Sequence, residues 1–177
     1  DVSGSMGSPI SGGVNLSCCE APAAMAMVAA RTEKNYTIVG FTAGSHRSMH
    51  AGYNTGISVL NISPKQRLDD VVNVISGLSF GGTDCALPMI WAKEKKIGAD
   101  GFFVYTDNET WAGSIQPHQA LREYRNAMGR PAKSIVVGMS ATEFTIADPN
   151  DAGMMDVVGF DAAAPAIMAD FIRGTDT

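Results

Sequence analysis

Three short, nearly continuous apolar runs, separated by helix-like segments, constrain the fold of this chain more than any other feature. They are residues 36–42 (YTIVGFT), 101–107 (GFFVYTD) and 134–139 (SIVVGM). Apolar runs without polar alternation are typical of strands that are covered on both faces, as in parallel sheets between helices. The sequence therefore predicts an α/β fold, with a Rossmann-like, open, mostly parallel sheet flanked by helices.

The segments between these runs carry helix signals. Apolar residues recur at helical spacing over residues 17–34 and again up to about residue 75. Ser63 and Pro64 suit the N-cap and the first position of the second of these helices. The other predicted elements are helices at 84–96, 117–128 and 163–172, a short strand or extended loop at 143–147, a weak strand at 157–160, and one or two edge strands within 43–62.

Length and charge exclude several classes of protein. A chain of 177 residues fits one domain, spanning residues 1–177. Its net charge of -5 argues against nucleic-acid binding, which needs clustered Lys and Arg. The longest apolar-rich stretch, residues 21–30, is too short to span a bilayer, so no membrane partner is expected. Three cysteines, two of them adjacent, favour a reduced, cytoplasmic setting.

Three polar segments share one chemical theme. They are residues 1–5 (DVSGS, a DxSxS motif), residues 81–84 (GGTD) and the Thr106–Asp107 pair that ends a predicted strand. Each offers carboxylate or hydroxyl oxygens, the ligands that Mg²⁺ prefers. Ser3 and Ser5 point the same way if their loop is extended. Two carboxylates balance a divalent ion while hydroxyls add no charge, so the ion keeps an affinity for one more anionic ligand.

These motifs in this order resemble the metal-ion-dependent adhesion site of von Willebrand factor A domains. The resemblance implies a metal site formed by Asp1, Ser3, Ser5, Thr83 and Asp107. The hydroxyls of the two serines and Thr83 would be ligands, and the two carboxylates would bind directly or through water. The implied ion is Mg²⁺, with Mn²⁺ or Ca²⁺ as alternatives. In that family, an Asp or Glu of a partner protein completes the coordination.

Longer segments resemble the A domain of the Ro autoantigen family, ribonucleoproteins with bacterial and phage relatives. In that family a ring of helical repeats precedes the A domain and binds misfolded RNA ends and small Y RNAs. No such ring lies within this sequence, so RNA is expected only through a ring outside it. The resemblance is carried by residues 81–92 (GGTDCALPMIWA), 104–113 (VYTDNETWAG), 120–133 (ALREYRNAMGRPAK) and 144–161 (FTIADPNDAGMMDVVGFD).

The resemblance also implies a central strand that ends at Asp1. Nothing precedes Asp1 in the sequence, so we expect a domain truncated at the DxSxS motif. Without a central strand the sheet would expose two edges. The folded protein is therefore expected to obtain this strand from residues outside the sequence.

Other readings stay open beside metal-dependent protein binding without catalysis. The domain could dock an upstream RNA-binding ring and keep only a vestigial metal site. It could instead be a metal-dependent hydrolase, although the motif lacks a general base beside it, with Glu109 as the only nearby acidic candidate for that role, and no phosphate-binding loop is present. Two surface clusters also need a structure to judge them: a basic one of Arg122, Arg125, Arg130 and Lys133, which could touch RNA, and an acidic one of Asp148, Asp151 and Asp156, which could bind a second cation.

Overall fold

Strands and helices alternate along the chain. The computed structural model describes residues 1–2, 6, 17–42, 56–78, 81–107, 113–139, 146–159 and 163–174, which together are the described residues. Among them, no helix has both the length and the apolar character needed to cross a bilayer. The elements are α1 (Glu20–Thr32), β1 (Ile38–Phe41), β2 (Ile57–Leu60), α2 (Leu68–Ser76), α3 (Leu87–Glu94), β3 (Gly101–Thr106), α4 (Pro117–Met128), β4 (Lys133–Gly138), β5 (Met154–Val158) and α5 (Ala164–Arg173).

The strands form a parallel sheet of three and an antiparallel pair. The parallel sheet has the order β3-β4-β5, with Phe102, Ser134 and Met154 side by side. β1 pairs with β2, so that Ile38 lies opposite Leu60. β4 is in the middle of its sheet, and every residue from Ser134 to Gly138 is buried. The predicted α/β fold with a parallel sheet flanked by helices is confirmed.

Helices cover both faces of the parallel sheet because successive side chains of a strand point to opposite sides. Ile135 and Val137 of β4 pack with residues of α1 and α5, including Met25 and Met168. The opposite face carries Phe102, which packs with residues of α3 and α4. The resulting helix–sheet–helix layers hold the strand ends rigidly, and these ends form the edge of the sheet at which ligands bind in open α/β folds.

Asp1 and Val2 lie between β1 and β3. The backbone nitrogen of Val2 donates to the Phe41 carbonyl at 2.9 Å, and that of Asp1 donates to the Tyr105 carbonyl at 2.8 Å. No hydrogen-bonded ladder joins β1 directly to β3 in the described part of the chain. The expectation that a strand preceding Asp1 fills this position stays a prediction. A direct pairing of β1 with β3, which would have refuted it, is not found there.

Helices α2 and α3 begin later than predicted because Ser63 and Asp84, the residues expected at their starts, each close a separate turn. Ser63 accepts from the backbone nitrogens of Gln66 and Lys65, but the chain is extended at Arg67 and α2 begins only at Leu68. The Asp84 carboxylate accepts from the Ala86 nitrogen at 3.0 Å, and α3 begins at Leu87. The prediction of Ser63 as an N-cap is wrong, because the N-cap of α2 is Arg67, and the N-cap of α3 is Ala86 rather than Asp84.

The last predicted strands are displaced. β5 spans Met154–Val158 rather than 157–160. Of the predicted strand at 143–147, the first three residues lie outside the described residues, and Ile146 and Ala147 are not in a strand. Their backbone nitrogens instead donate to the Asp156 carboxylate at 3.1 Å. A side chain of β5 thus takes the hydrogen bonds that a neighbouring strand would have provided.

Replacing Ser134 by Ala is expected to raise the free energy of unfolding by about 1 kcal/mol, because a buried hydroxyl without a partner costs about 1–3 kcal/mol. The Ser134 hydroxyl oxygen is buried and makes no hydrogen bond among the described residues. Urea denaturation would measure the change. Ser58→Ala, on an exposed position of β2, is the matched control and should change stability by less than about 0.5 kcal/mol. A destabilised Ser134→Ala variant would contradict the prediction.

Candidate metal centre

The carboxyl end of β3 brings two polar side chains to the candidate site. The strand ends at Thr106, and Asp107 follows directly. Thr106 is fully buried and Asp107 is only 5% exposed. A strand covered by helices on both faces thus delivers a hydroxyl and a carboxylate to the edge of the sheet at which ligands bind.

Asp1 is held at this edge by hydrogen bonds from two threonines. Its Oδ2 atom accepts from the Thr106 hydroxyl at 2.7 Å and from the Thr83 hydroxyl at 3.3 Å. Thr83 is 2% exposed and lies in the loop that leads into α3. The structure therefore brings Asp1 and Thr83 together next to the end of β3, although they are far apart in the chain.

Thr106 is a site residue that sequence reasoning missed. The sequence placed it in one of the three polar segments but assigned it no part in the site. Val104 and Phe102, two and four positions earlier, are buried apolar residues. A buried hydroxyl nearly always finds a hydrogen-bond partner. A polar residue continuing an otherwise apolar strand face was the signal that could have identified Thr106 as a group that orients Asp1.

The donor set suits a hard divalent cation. The described donors are the Asp1 and Asp107 carboxylates and the Thr83 hydroxyl, all oxygen ligands of the kind that Mg²⁺ and Ca²⁺ prefer. A hydroxyl has one proton and two lone pairs, so Thr83 can donate to Asp1 and still offer an oxygen lone pair to an ion. Ser3 and Ser5 lie outside the described residues, and their role stays a prediction. Among the described side chains, no group of three or more His, Cys, Asp or Glu is placed to hold a metal ion.

The cysteines near the site are packing residues. All three are thiols, and Cys18 and Cys85 are fully buried in apolar clusters. Burial raises the pKa of the Cys18 thiol, and the negative charges of Asp107 and Cys19 act in the same direction. A thiol with a raised pKa stays protonated at neutral pH and is a poor nucleophile. This supports packing rather than catalysis as the role of Cys18.

The basic surface around α4 is largely neutralised by groups of the protein itself. Arg125 donates to the Ala132 carbonyl at 2.7 Å and to the Asp151 carboxylate at 2.5 Å. The Lys133 ammonium donates to the Phe171 carbonyl at 2.5 Å and lies over the ring of the same residue. The other two cations form ion pairs, Arg122 with Asp148 at 3.9 Å and Arg130 with Asp100 at 3.3 Å. These pairings weaken the case for an RNA-binding surface here.

The carboxylates of the acidic cluster are likewise bound to other groups of the protein. Asp148 and Asp151 pair with arginines of α4, and Asp156 accepts from the Ile146 and Ala147 nitrogens. Burial would raise the pKa of Asp151, but the hydrogen bonds from Arg125 and the Gly153 nitrogen lower it on balance. Burial raises the pKa of Asp156, and its two backbone hydrogen bonds offset this only in part. These carboxylates hold a loop, and the structure does not favour a second cation site.

Asp151 and Asp156 are expected to make the stability of the folded protein depend on pH in opposite directions. The native protein holds the Asp156 proton more tightly than the unfolded chain, so the stability contributed by this group falls as pH rises above about 3.9, the ordinary Asp value. Asp151 has a lowered pKa, so its contribution is complete above about 3.9 and is lost as pH falls below it. Urea denaturation from pH 3 to 6 would measure how the free energy of unfolding changes with pH. Asp156→Asn should remove the decrease as pH rises above about 3.9, and Asp151→Asn should remove the decrease as pH falls below it. Equal slopes in both variants would refute this assignment.

Comparisons with known proteins identify the family. A family model described as "Ro60 vWA domain" matches residues 1–172. The "RNA-binding protein RO60" of Deinococcus radiodurans is 47% identical over 175 residues, which cover 98% of this chain and 31% of that protein. The Caenorhabditis elegans protein of the same name is 41% identical over 175 residues, covering 98% of this chain and 25% of the relative.

A solved structure agrees with the sequence comparisons. The crystal structure of the Deinococcus radiodurans RO (RSR) protein superposes with a TM-score of 0.85 at 45% identity, over 99% of this chain and 33% of that one. The chain thus spans a third or less of the length of these relatives. On the matched model, the sequence identity and the shared fold, the chain belongs to the Ro60 vWA domain family.

Proposed function

We propose that this domain is a metal-dependent protein-binding module of a Ro-like RNA-binding protein. Asp1, Ser3, Ser5, Thr83 and Asp107 would hold Mg²⁺, with Mn²⁺ or Ca²⁺ as alternatives, and the ion would capture an Asp or Glu side chain of a partner. The observation that carries the proposal is the meeting of Asp1 with the Thr83 and Thr106 hydroxyls at the end of β3, directly before Asp107.

Charge and burial support capture of an acidic group. Two carboxylates neutralise one divalent ion, and uncharged hydroxyls leave it able to attract a further anionic oxygen. Asp107 and Thr83 are buried, so water screens their interaction with an ion weakly. The bound metal would act as a Lewis acid toward the partner's carboxylate. Thr106 would keep the Asp1 carboxylate oriented toward the ion by its hydrogen bond to Oδ2.

We propose binding rather than catalysis, and a cytoplasmic setting. The described donors at the site are hydroxyls and carboxylates, without a histidine or lysine that could move a proton at neutral pH. The three cysteines are thiols, as is usual in a reducing compartment. RNA would be bound through a helical-repeat ring outside this chain, since the net charge is -5 and the cations around α4 have internal partners.

A peptide library tests the proposed capture. Immobilised domain would be incubated in Mg²⁺ with peptides that present Asp or Glu, and with a matched library that carries Asn or Gln at the same positions. We expect retention of acidic peptides in Mg²⁺, loss with a chelator, and no retention of the amide library. Metal-independent retention, or equal retention of both libraries, would argue instead for a docking domain with a vestigial site.

A further inference from the structure

Asp84 is a buried carboxylate directly after a proposed metal ligand, and the proposed function assigns it no part. It is 7% exposed and follows Thr83 in the chain. One of its oxygens, Oδ1, accepts from the Ala86 nitrogen at 3.0 Å in a buried hydrogen bond. This bond folds the Thr83 loop into the turn that precedes α3.

The Asp84 carboxylate also packs against Gly113. A Cβ atom built on Gly113 would lie 2.5 Å from Asp84 Oδ2 and 2.7 Å from Oδ1, closer than real Cβ contacts allow. Gly113 also has a φ of +102°, which side-chain-bearing residues rarely adopt. Both its conformation and the space beside it therefore require glycine.

These two contacts join the segment that carries Thr83 to Gly113, which follows Asp107 by six positions in the chain. We propose that Asp84 is a positioning residue that clamps Gly113 to the Thr83 segment and so sets the distance between the Thr83 hydroxyl and the Asp107 carboxylate. The inference rests on the proposed metal site and deepens it.

The assigned role is positioning, because the Asp84 carboxylate is already used by protein groups. One oxygen is held by the Ala86 nitrogen, and the carboxylate as a whole lies against Gly113. Groups of this kind outside the ligand shell typically change metal affinity by about 10–100-fold when they are replaced. The same loss is expected when either partner of the clamp is changed, since Gly113→Ala would push the carboxylate away without altering its charge.

Titration of the metal alone tests the clamp. Mg²⁺ affinity would be measured by calorimetry for the wild type, Asp84→Ala, Asp84→Asn and Gly113→Ala, with Asp69→Ala on exposed α2 as a control. We expect about 10–100-fold weaker binding for Asp84→Ala and Gly113→Ala. Asp84→Asn keeps an oxygen for the Ala86 nitrogen and should lose less, and Asp69→Ala should match the wild type. Affinities within twofold of the wild type in both Asp84→Ala and Gly113→Ala would overturn the proposal.

A metal-free measurement separates the clamp from the metal site itself. Amide hydrogen exchange at Ala86, whose nitrogen donates to Asp84, should be faster in Asp84→Ala and in Gly113→Ala than in the wild type in the presence of a chelator, and unchanged in Asp69→Ala. Unchanged exchange at Ala86 in Gly113→Ala would overturn the clamp even if Mg²⁺ binds. A wild type with a protected Ala86 amide but no Mg²⁺ binding would keep the contact between Asp84 and Gly113 but refute the proposed metal site, and with it the clamp's effect on affinity. If Asp84→Ala fails to fold, Asp84→Asn and Gly113→Ala decide the outcome.

Discussion

Mg²⁺ at about 100 times its dissociation constant is expected to raise the free energy of unfolding of this domain by about 2.7 kcal/mol. The proposed ligands Asp1, Ser3, Ser5, Thr83 and Asp107 are spread over distant parts of the sequence, and Asp1 meets Thr83 in the folded protein. The unfolded chain therefore has no preformed site, and the binding free energy adds to the stability of the native state. A Ca²⁺ or Mn²⁺ titration would show which ion binds best.

Thermal and urea denaturation with Mg²⁺ and with a chelator would measure this effect. Asp107→Ala should abolish the stabilisation by metal because it removes one of the two carboxylates. Asp100→Ala is a matched control at the opposite end of β3, where the side chain is 84% exposed, and it should keep the full metal response. No metal response in the wild type, together with an unchanged Asp107→Ala, would refute the metal site.

Replacing Tyr124 by Ala is expected to cost about 3–5 kcal/mol, the range for large aromatic side chains in cores. Tyr124 is fully buried in α4, and its ring meets Phe102 edge-on with centroids 4.9 Å apart. Its hydroxyl donates to the Ile97 carbonyl at 2.7 Å and accepts from the Ala99 nitrogen at 2.7 Å. The side chain thus fastens the segment that connects α3 to β3.

Tyr124→Phe separates packing from hydrogen bonding in this effect. It keeps the ring but leaves the half-buried backbone groups of Ile97 and Ala99 without their shared partner, for which about 1 kcal/mol is expected. Urea denaturation of both variants would measure the two parts, with the slope of the transition checked for constancy. A cost below about 1 kcal/mol for Tyr124→Ala would show that the α3–α4 layer repacks freely.

The sequence predicted the central strands well because their pattern leaves little choice. Continuous apolar runs of this length, bounded by polar residues, fit strands that are buried on both faces. β1 and β3 lie within their predicted runs, and β4 begins one residue before its run. β5 was harder to place because Asp156 interrupts its apolar pattern. That carboxylate faces the Ile146 and Ala147 nitrogens, and only the folded chain reveals these partners.

The candidate site was predictable to the extent that it depends on strand ends. The end of a buried strand places Thr106 and Asp107, and the Gly-rich loop places Thr83. Contacts between distant segments could not be predicted from the order of residue types. Only the structure shows that Asp84 packs against Gly113 and that Arg125 donates a hydrogen bond to Asp151, 26 positions away. The α4 surface looked basic for that reason, since its neutralising partners come from another part of the chain.

The bridging position of Asp1 and Val2 would link metal occupancy of the proposed site to the cohesion of the two sheets. Their backbone nitrogens bond to β1 and to β3, while the Asp1 carboxylate is a proposed ligand. Two events that share one group influence each other by the same free energy in both directions. Loosening either sheet would therefore weaken metal binding, and a bound ion would tighten the joint between them. The site would then capture a partner only when both sheets of the domain are correctly folded.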